Sequence, residues 1–142
     1  MDAFRLDDFL PYRLAVLAAR VSRDFARIYE AEFGLSIPEW RVIAHLGEAE
    51  EVSVREIHRR VDMDKSRVSR AAARLESAGL VAKTAHATDG RLVSLTLTAK
   101  GRDLLAAIAP RAREYEAELM ARLPAPEAAM IRACVEAMLR AV

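Results

Sequence analysis

Cysteine is nearly absent from the 142 residues, Cys134 being the only one. This excludes an internal disulfide framework or a cysteine-built zinc site and points to a reducing compartment. Glycine and proline are scarce, five of each, against 28 alanines. That imbalance argues against collagen-like, loop-rich and disordered classes and favours helix. Long hydrophobic runs are missing too: Leu14–Ala19 and Leu104–Ala109 fall far short of the ~20 residues that cross a bilayer. Near the start, Asp2, Asp7 and Asp8 outweigh Arg5, unlike the basic and then apolar layout of an export signal. A soluble, cytoplasmic protein without membrane contact is expected. His45, His58 and His86 lack the i,i+4 spacing that pairs metal ligands on a helix. No G-x-G-x-x-G, phosphate loop, G-x-S-x-G or H-E-x-x-H occurs, so neither an enzyme nor a cofactor or metal site is expected.

The net charge of +1 conceals a division. Residues 53–102 hold 11 Lys and Arg against 5 Asp and Glu, a surplus of 11 − 5 = +6, while the remainder holds 11 against 16, or −5. A basic middle between acidic, apolar-striped ends suggests a segment that meets a polyanion, flanked by segments that meet each other.

Apolar periodicity and punctuation predict the elements. Leu10, Leu14, Leu17, Val21, Phe25 and Ile28 form the stripe of an amphipathic helix over 10–33, stopped by Gly34. Ser36 and Glu39 make a capping box for a helix over 37–48, with Trp40, Ile43 and Ala44 inward; Ser53 and Glu56 repeat it for 54–60. Asp64 caps a fourth helix over 65–78, ended by Gly79. From Leu80 the period becomes two: 80–84 and 91–97, joined through Asp89-Gly90, predict a β-hairpin with Val93, Leu95 and Leu97 inward. Thr98 caps a helix over 99–123 that contains Pro110, where a kink is expected. A last helix, 127–141, carries Ile131, Cys134, Val135, Met138 and Leu139 on one side.

The two capped helices 54–60 and 65–78 are joined by about four residues, the length a helix-turn-helix needs. On the second helix Val68, Ala71, Ala72 and Leu75 share the inward face, whereas Ser66, Ser69, Arg70 and Ala73 lie opposite. Small side chains let a helix sink into the major groove, and one Arg among hydroxyls can make the bidentate contact that specifies guanine. Arg67 and Arg74 lie together on the flank where a phosphate strand would run, and Lys65 at the helix start is a further DNA-contact candidate. Arg91 at the hairpin tip is placed to enter a minor groove, with Asp89 able to steady the turn.

Asp64–Gly79, Asp89-Gly90-Arg91 and Leu95-Thr96-Leu97-Thr98-Ala99-Lys100-Gly101 together resemble the MarR family of winged-helix transcriptional regulators over nearly the whole chain. The resemblance implies a mostly α fold with a small β-hairpin wing. Dimerisation helices at 1–36 and 99–142 would intertwine with those of a second copy, around a DNA-binding winged helix at 37–98. It also implies a homodimer on a pseudo-palindromic duplex operator, acting as a repressor that a small molecule releases. Arg70 would read a base and Arg91 would be the wing arginine. Phe9–Leu14 with Pro38–Arg41 is similar to members that sense aromatic acyl-CoA thioesters. An effector crevice would then draw on Tyr12, Arg13, Trp40, Arg41 and His45, although Trp40 also reads as plain core. Other readings stand beside this one: a winged-helix module that meets an acidic protein, or a redox regulator acting through Cys134. The apolar setting of Cys134 favours buried packing over redox chemistry.

Overall fold

The structure is a computed structural model that describes residues 2–48, 52–61, 63–85 and 93–142. After a single 3-10 turn at Leu6–Asp8, helix α1 spans Leu10–Phe33 and α2 spans Ile37–Glu48. A two-residue strand β1, Val52–Ser53, leads into α3, Val54–Val61, and α4 follows at Lys65–Ser77. Strands β2, Val81–Ala85, and β3, Val93–Leu97, precede α5, Ala99–Ala121, and α6, Ala125–Ala141.

The local signals act as their chemistry dictates. Gly34 ends α1 with φ +68° and Gly79 follows α4 with φ +75°, left-handed conformations that a side chain would strain. Ser36 Oγ accepts from the Glu39 N–H at 3.3 Å and Ser53 Oγ from the Glu56 N–H at 3.1 Å. The strands form an antiparallel sheet in the order β1-β3-β2, with Val81 across from Leu97 and Val52 across from Leu95. Strand β1 is not expected from the sequence, which reads Ser53 only as the cap of the next helix, because two residues are too short to show a period. The expected alternation along β3 also needs correcting: Val93 is exposed and Ser94 is buried. Ser94 is small and flanked on both sides, by Ser53 and Thr84, whereas Val93 lies beyond the end of β1 with only Ala85 across from it.

The chain divides into two compact units between Ile108 and Ala109. In the first, Tyr29, Val42, Ile43, Ile57, Val68, Leu75, Leu95 and Ile108 are fully buried in one core. Phe25 and Trp40 meet edge to face at 5.5 Å beside Tyr29, which fastens α1 to α2. Helix α5 runs from Ala99 to Ala121 as one element with Pro110 inside it. In the second unit α6 has no buried residue. Cys134 is exposed there, which corrects the expected burial: its apolar stripe is not covered within a single chain. No helix among the described residues is long and apolar enough to cross a membrane.

The Leu-Thr-Ala-Lys-Gly segment clamps the end of α4. Thr98 Oγ1 donates to the Gly79 carbonyl at 2.6 Å and accepts from the Gly101 N–H at 3.1 Å. Lys100 Nζ donates to the Ala78 carbonyl at 2.9 Å. A Cβ built on Gly101 would stand 2.1 Å from the Leu80 carbonyl oxygen, a backbone atom that cannot swing aside. Gly101→Ala should therefore cost about 2–3 kcal/mol of stability in a urea titration, and an unchanged midpoint would contradict this packing.

Candidate nucleic-acid interface

Helix α4 is placed by its inward face. Val68, Ala71 and Ala72 are completely buried and Leu75 nearly so, while Lys65, Ser66, Arg67, Ser69, Arg70, Ala73 and Arg74 are exposed. The small alanines let α4 lie close against its neighbours, and α2, α3 and β2 all pack on it.

Its first turn is braced by a short chain of hydrogen bonds. The Asp64 carboxylate accepts from the Arg67 backbone N–H at 2.8 Å and from Ser66 Oγ at 3.0 Å. Ser66 Oγ in turn accepts from Arg70 Nη1 at 3.2 Å. The backbone donor first, then the Ser66 hydroxyl, hold the Asp64 carboxyl below the usual carboxylate range. Arg70 is thus steadied along the outer face, and Ser66, expected from the sequence to face bases, also supports it. Arg74 donates from Nε to Glu39 Oε1 at 3.0 Å. Sequence alone assigns the Glu39 side chain to the capping box of α2 and so gives no sign of this partner. Helix α3 adds exposed Arg55 and Arg59 opposite buried Ile57 and Val61, a basic i,i+4 pair that the sequence reading did not single out. His58 Nδ1 contacts the Met63 carbonyl and so secures the turn before α4. Asp89 and Arg91 lie outside the described residues.

The five residues expected to line an effector crevice fall into two groups. Tyr12 and Arg13 border an open groove along the first half of α1 with Leu10, Leu17 and Arg20. Trp40 is half-buried against Phe25 and Tyr29. Arg41 ties three helices together by donating to Ser22 Oγ at 3.4 Å and to the Val61 carbonyl at 3.5 Å. His45 has its Nδ1 buried with no hydrogen-bond partner, and burial keeps its basicity below that of a free histidine. Ser22, held by Arg41, lies about 15 Å along α1 from Tyr12 at 1.5 Å per residue. One chain therefore does not gather all five residues into a single crevice. Among the described residues no group of three His, Cys, Asp or Glu side chains is arranged to hold a metal ion.

Comparison with known proteins agrees with this geometry. A family model described as MarR family matches residues 33–92. The HTH-type transcriptional repressor Rv2887 of Mycobacterium tuberculosis is 32% identical over 120 residues, covering 84% of this chain and 83% of the relative. The crystal structure of the MarR family transcriptional regulator SPO1453 from Silicibacter pomeroyi superposes with a TM-score of 0.84 at 30% identity, covering 99% of this chain and 98% of the other. BpsR of Bordetella bronchiseptica, whose DNA binding is regulated by 6-hydroxynicotinic acid, shares the fold at a TM-score of 0.82 and 20% identity, covering 96% of this chain and 97% of its own. These relatives are transcriptional regulators and not enzymes. A helix-turn-helix with a buried alanine face and an outward serine-arginine face, on this sheet and in this company, makes the chain a DNA-binding transcriptional regulator that belongs to the MarR family.

Proposed function

We propose that the protein is a homodimeric repressor that binds a pseudo-palindromic duplex operator and is released from it by a small aromatic acid or its thioester. The observation that carries the reading is the outer face of α4, where Ser66, Ser69 and Arg70 stand exposed over a fully buried Val68-Ala71-Ala72 face. On this reading Ser66, Ser69 and Arg70 enter the major groove. Lys65, Arg67 and Arg74 meet phosphates, and Arg91, steadied by Asp89, enters the minor groove. Residues 37–98 form the reading module. Residues 1–36 and 99–142 pair with a second copy, so that two reading helices meet half-sites about one helical turn, ~10 bp, apart.

Exposed apolar side chains favour the pairing. Phe4, Leu10, Leu14 and Leu17 near the start, and Met130, Val135, Met138 and Leu139 near the end, all face solvent in the single chain. Tyr12 and Arg13 would complete an effector site with residues that a single chain does not supply, and BpsR's 6-hydroxynicotinic acid suggests the class of effector. Selecting bound fragments from genomic DNA tests the reading as a whole. A duplex with two inverted half-sites, bound by two chains and released by an aromatic acid, is the expected result. Recovery of no sequence above background would contradict it.

A further inference from the structure

The pairing of Arg74 with Glu39 points beyond this reading, although it rests on it. Glu39 lies in the first turn of α2, where the positive end of the helix favours a carboxylate. Its side chain is only 13% exposed, and its Oε1 is held 3.0 Å from Arg74 Nε across the α2–α4 contact. We propose that Glu39 is a specificity-determining residue that masks the charge of Arg74 from non-specific DNA.

The masking follows from two separable properties of an arginine. As a charge, Arg74 would neutralise one phosphate and release its counterions. With a carboxylate at 3.0 Å, a phosphate several ångströms away meets a nearly neutral pair instead. As a donor, Arg74 commits only Nε to Glu39, so its terminal nitrogens can still donate to a phosphate oriented correctly along an operator. The pair thus subtracts more from sliding, charge-driven attachment than from the seated complex. The neighbouring Arg67 makes no comparable side-chain ion pair among the described residues: its backbone N–H caps onto Asp64, whose exposed carboxylate feels the Arg67 charge only as a minor influence, and its side chain is exposed on the same flank.

The test uses the full-length protein on a random-sequence duplex, with affinity followed by fluorescence anisotropy across a salt series, and then on a selected operator. Glu39→Gln keeps the shape and the acceptor while removing the charge. It should bind random duplex several-fold more tightly at low salt, steepen the slope of log K against log salt by up to ~0.9, and lower the operator-to-random affinity ratio. In an Arg74→Ala background the same change should give a smaller gain, from lost repulsion alone, and leave the salt slope unchanged, since no cation remains to be unmasked. An unchanged or weaker Glu39→Gln protein, or an equal gain without Arg74, would overturn the masking role. Arg67→Ala serves as the separate check on the face itself and should make the slope shallower by ~0.9. If Arg67→Ala alters nothing, the DNA-facing assignment of α4 fails. If Arg67→Ala behaves as expected and Glu39→Gln does not, only the role of Glu39 fails. Circular dichroism confirms folding, and Glu39→Ala substitutes, with the same expected gain, should the amide variant not fold.

Discussion

Arg70→Ala is expected to weaken operator binding by about 1–3 kcal/mol, between roughly 5- and 150-fold, while changing affinity for random duplex far less. Arg70 lies on the exposed side of α4, opposite Val68, Ala71 and Ala72, none of which has any accessible surface. Losing the side chain therefore opens no cavity and should leave the fold intact. Its guanidinium is braced by Ser66, which is itself braced by Asp64. This holds part of its rotamer freedom in check before DNA arrives, and preorganisation of that kind raises the share of its contact energy that survives as affinity. A bidentate contact with guanine is base-specific, so the variant should tolerate substitutions in the half-site that the parent rejects. A salt titration on both duplexes separates this loss from that of a phosphate contact, which would weaken both alike.

Leu139→Glu should have a still larger effect on operator binding. Leu139 is 74% exposed in the single chain, so a carboxylate there costs that chain almost nothing. In a paired assembly the same side chain would enter an apolar contact, where an unpartnered charge is expensive to desolvate. The groove it borders, between Leu119 and Met120 of α5 and Ile131 and Val135 of α6, is lined mainly by aliphatic side chains. Sedimentation should show the parent at twice the mass of one chain and the variant at the mass of one. Operator affinity should fall by at least about 100-fold, because two linked half-site contacts become two independent ones. A variant that remains paired and binds as the parent does would remove the terminal helices from the dimerisation account.

Much of this architecture was legible because the responsible signals are local. Gly34, Ser36, Ser53, Asp64 and Gly79 act on residues within one turn of themselves, and the helix limits they announce agree closely with those observed. The two faces of α4 were legible for the same reason, since a period of 3.6 needs no knowledge of the partner surface. What sequence concealed was long-range. Strand β1 exists only because β3 lies beside it, and the Glu39–Arg74 pair joins residues 35 positions apart. Cys134 reads as buried because its neighbours at helical spacing are apolar, yet an apolar stripe shows only that a surface seeks cover, and in the single chain it remains open. Tyr12, Arg13, Trp40, Arg41 and His45 share a chemistry that suits an effector, but sequence carries no sign that Arg41 is held at Ser22, far along α1 from Tyr12.

Methylation interference on the selected operator is the most direct test of whether the outer face of α4 reads bases. A methyl group on guanine N7 blocks the acceptor that a bidentate arginine requires. The account predicts interference at one guanine in each half-site for the parent, symmetric about the operator centre and absent for Arg70→Ala. Interference at the same guanines with both proteins, or at none with the parent, would contradict it.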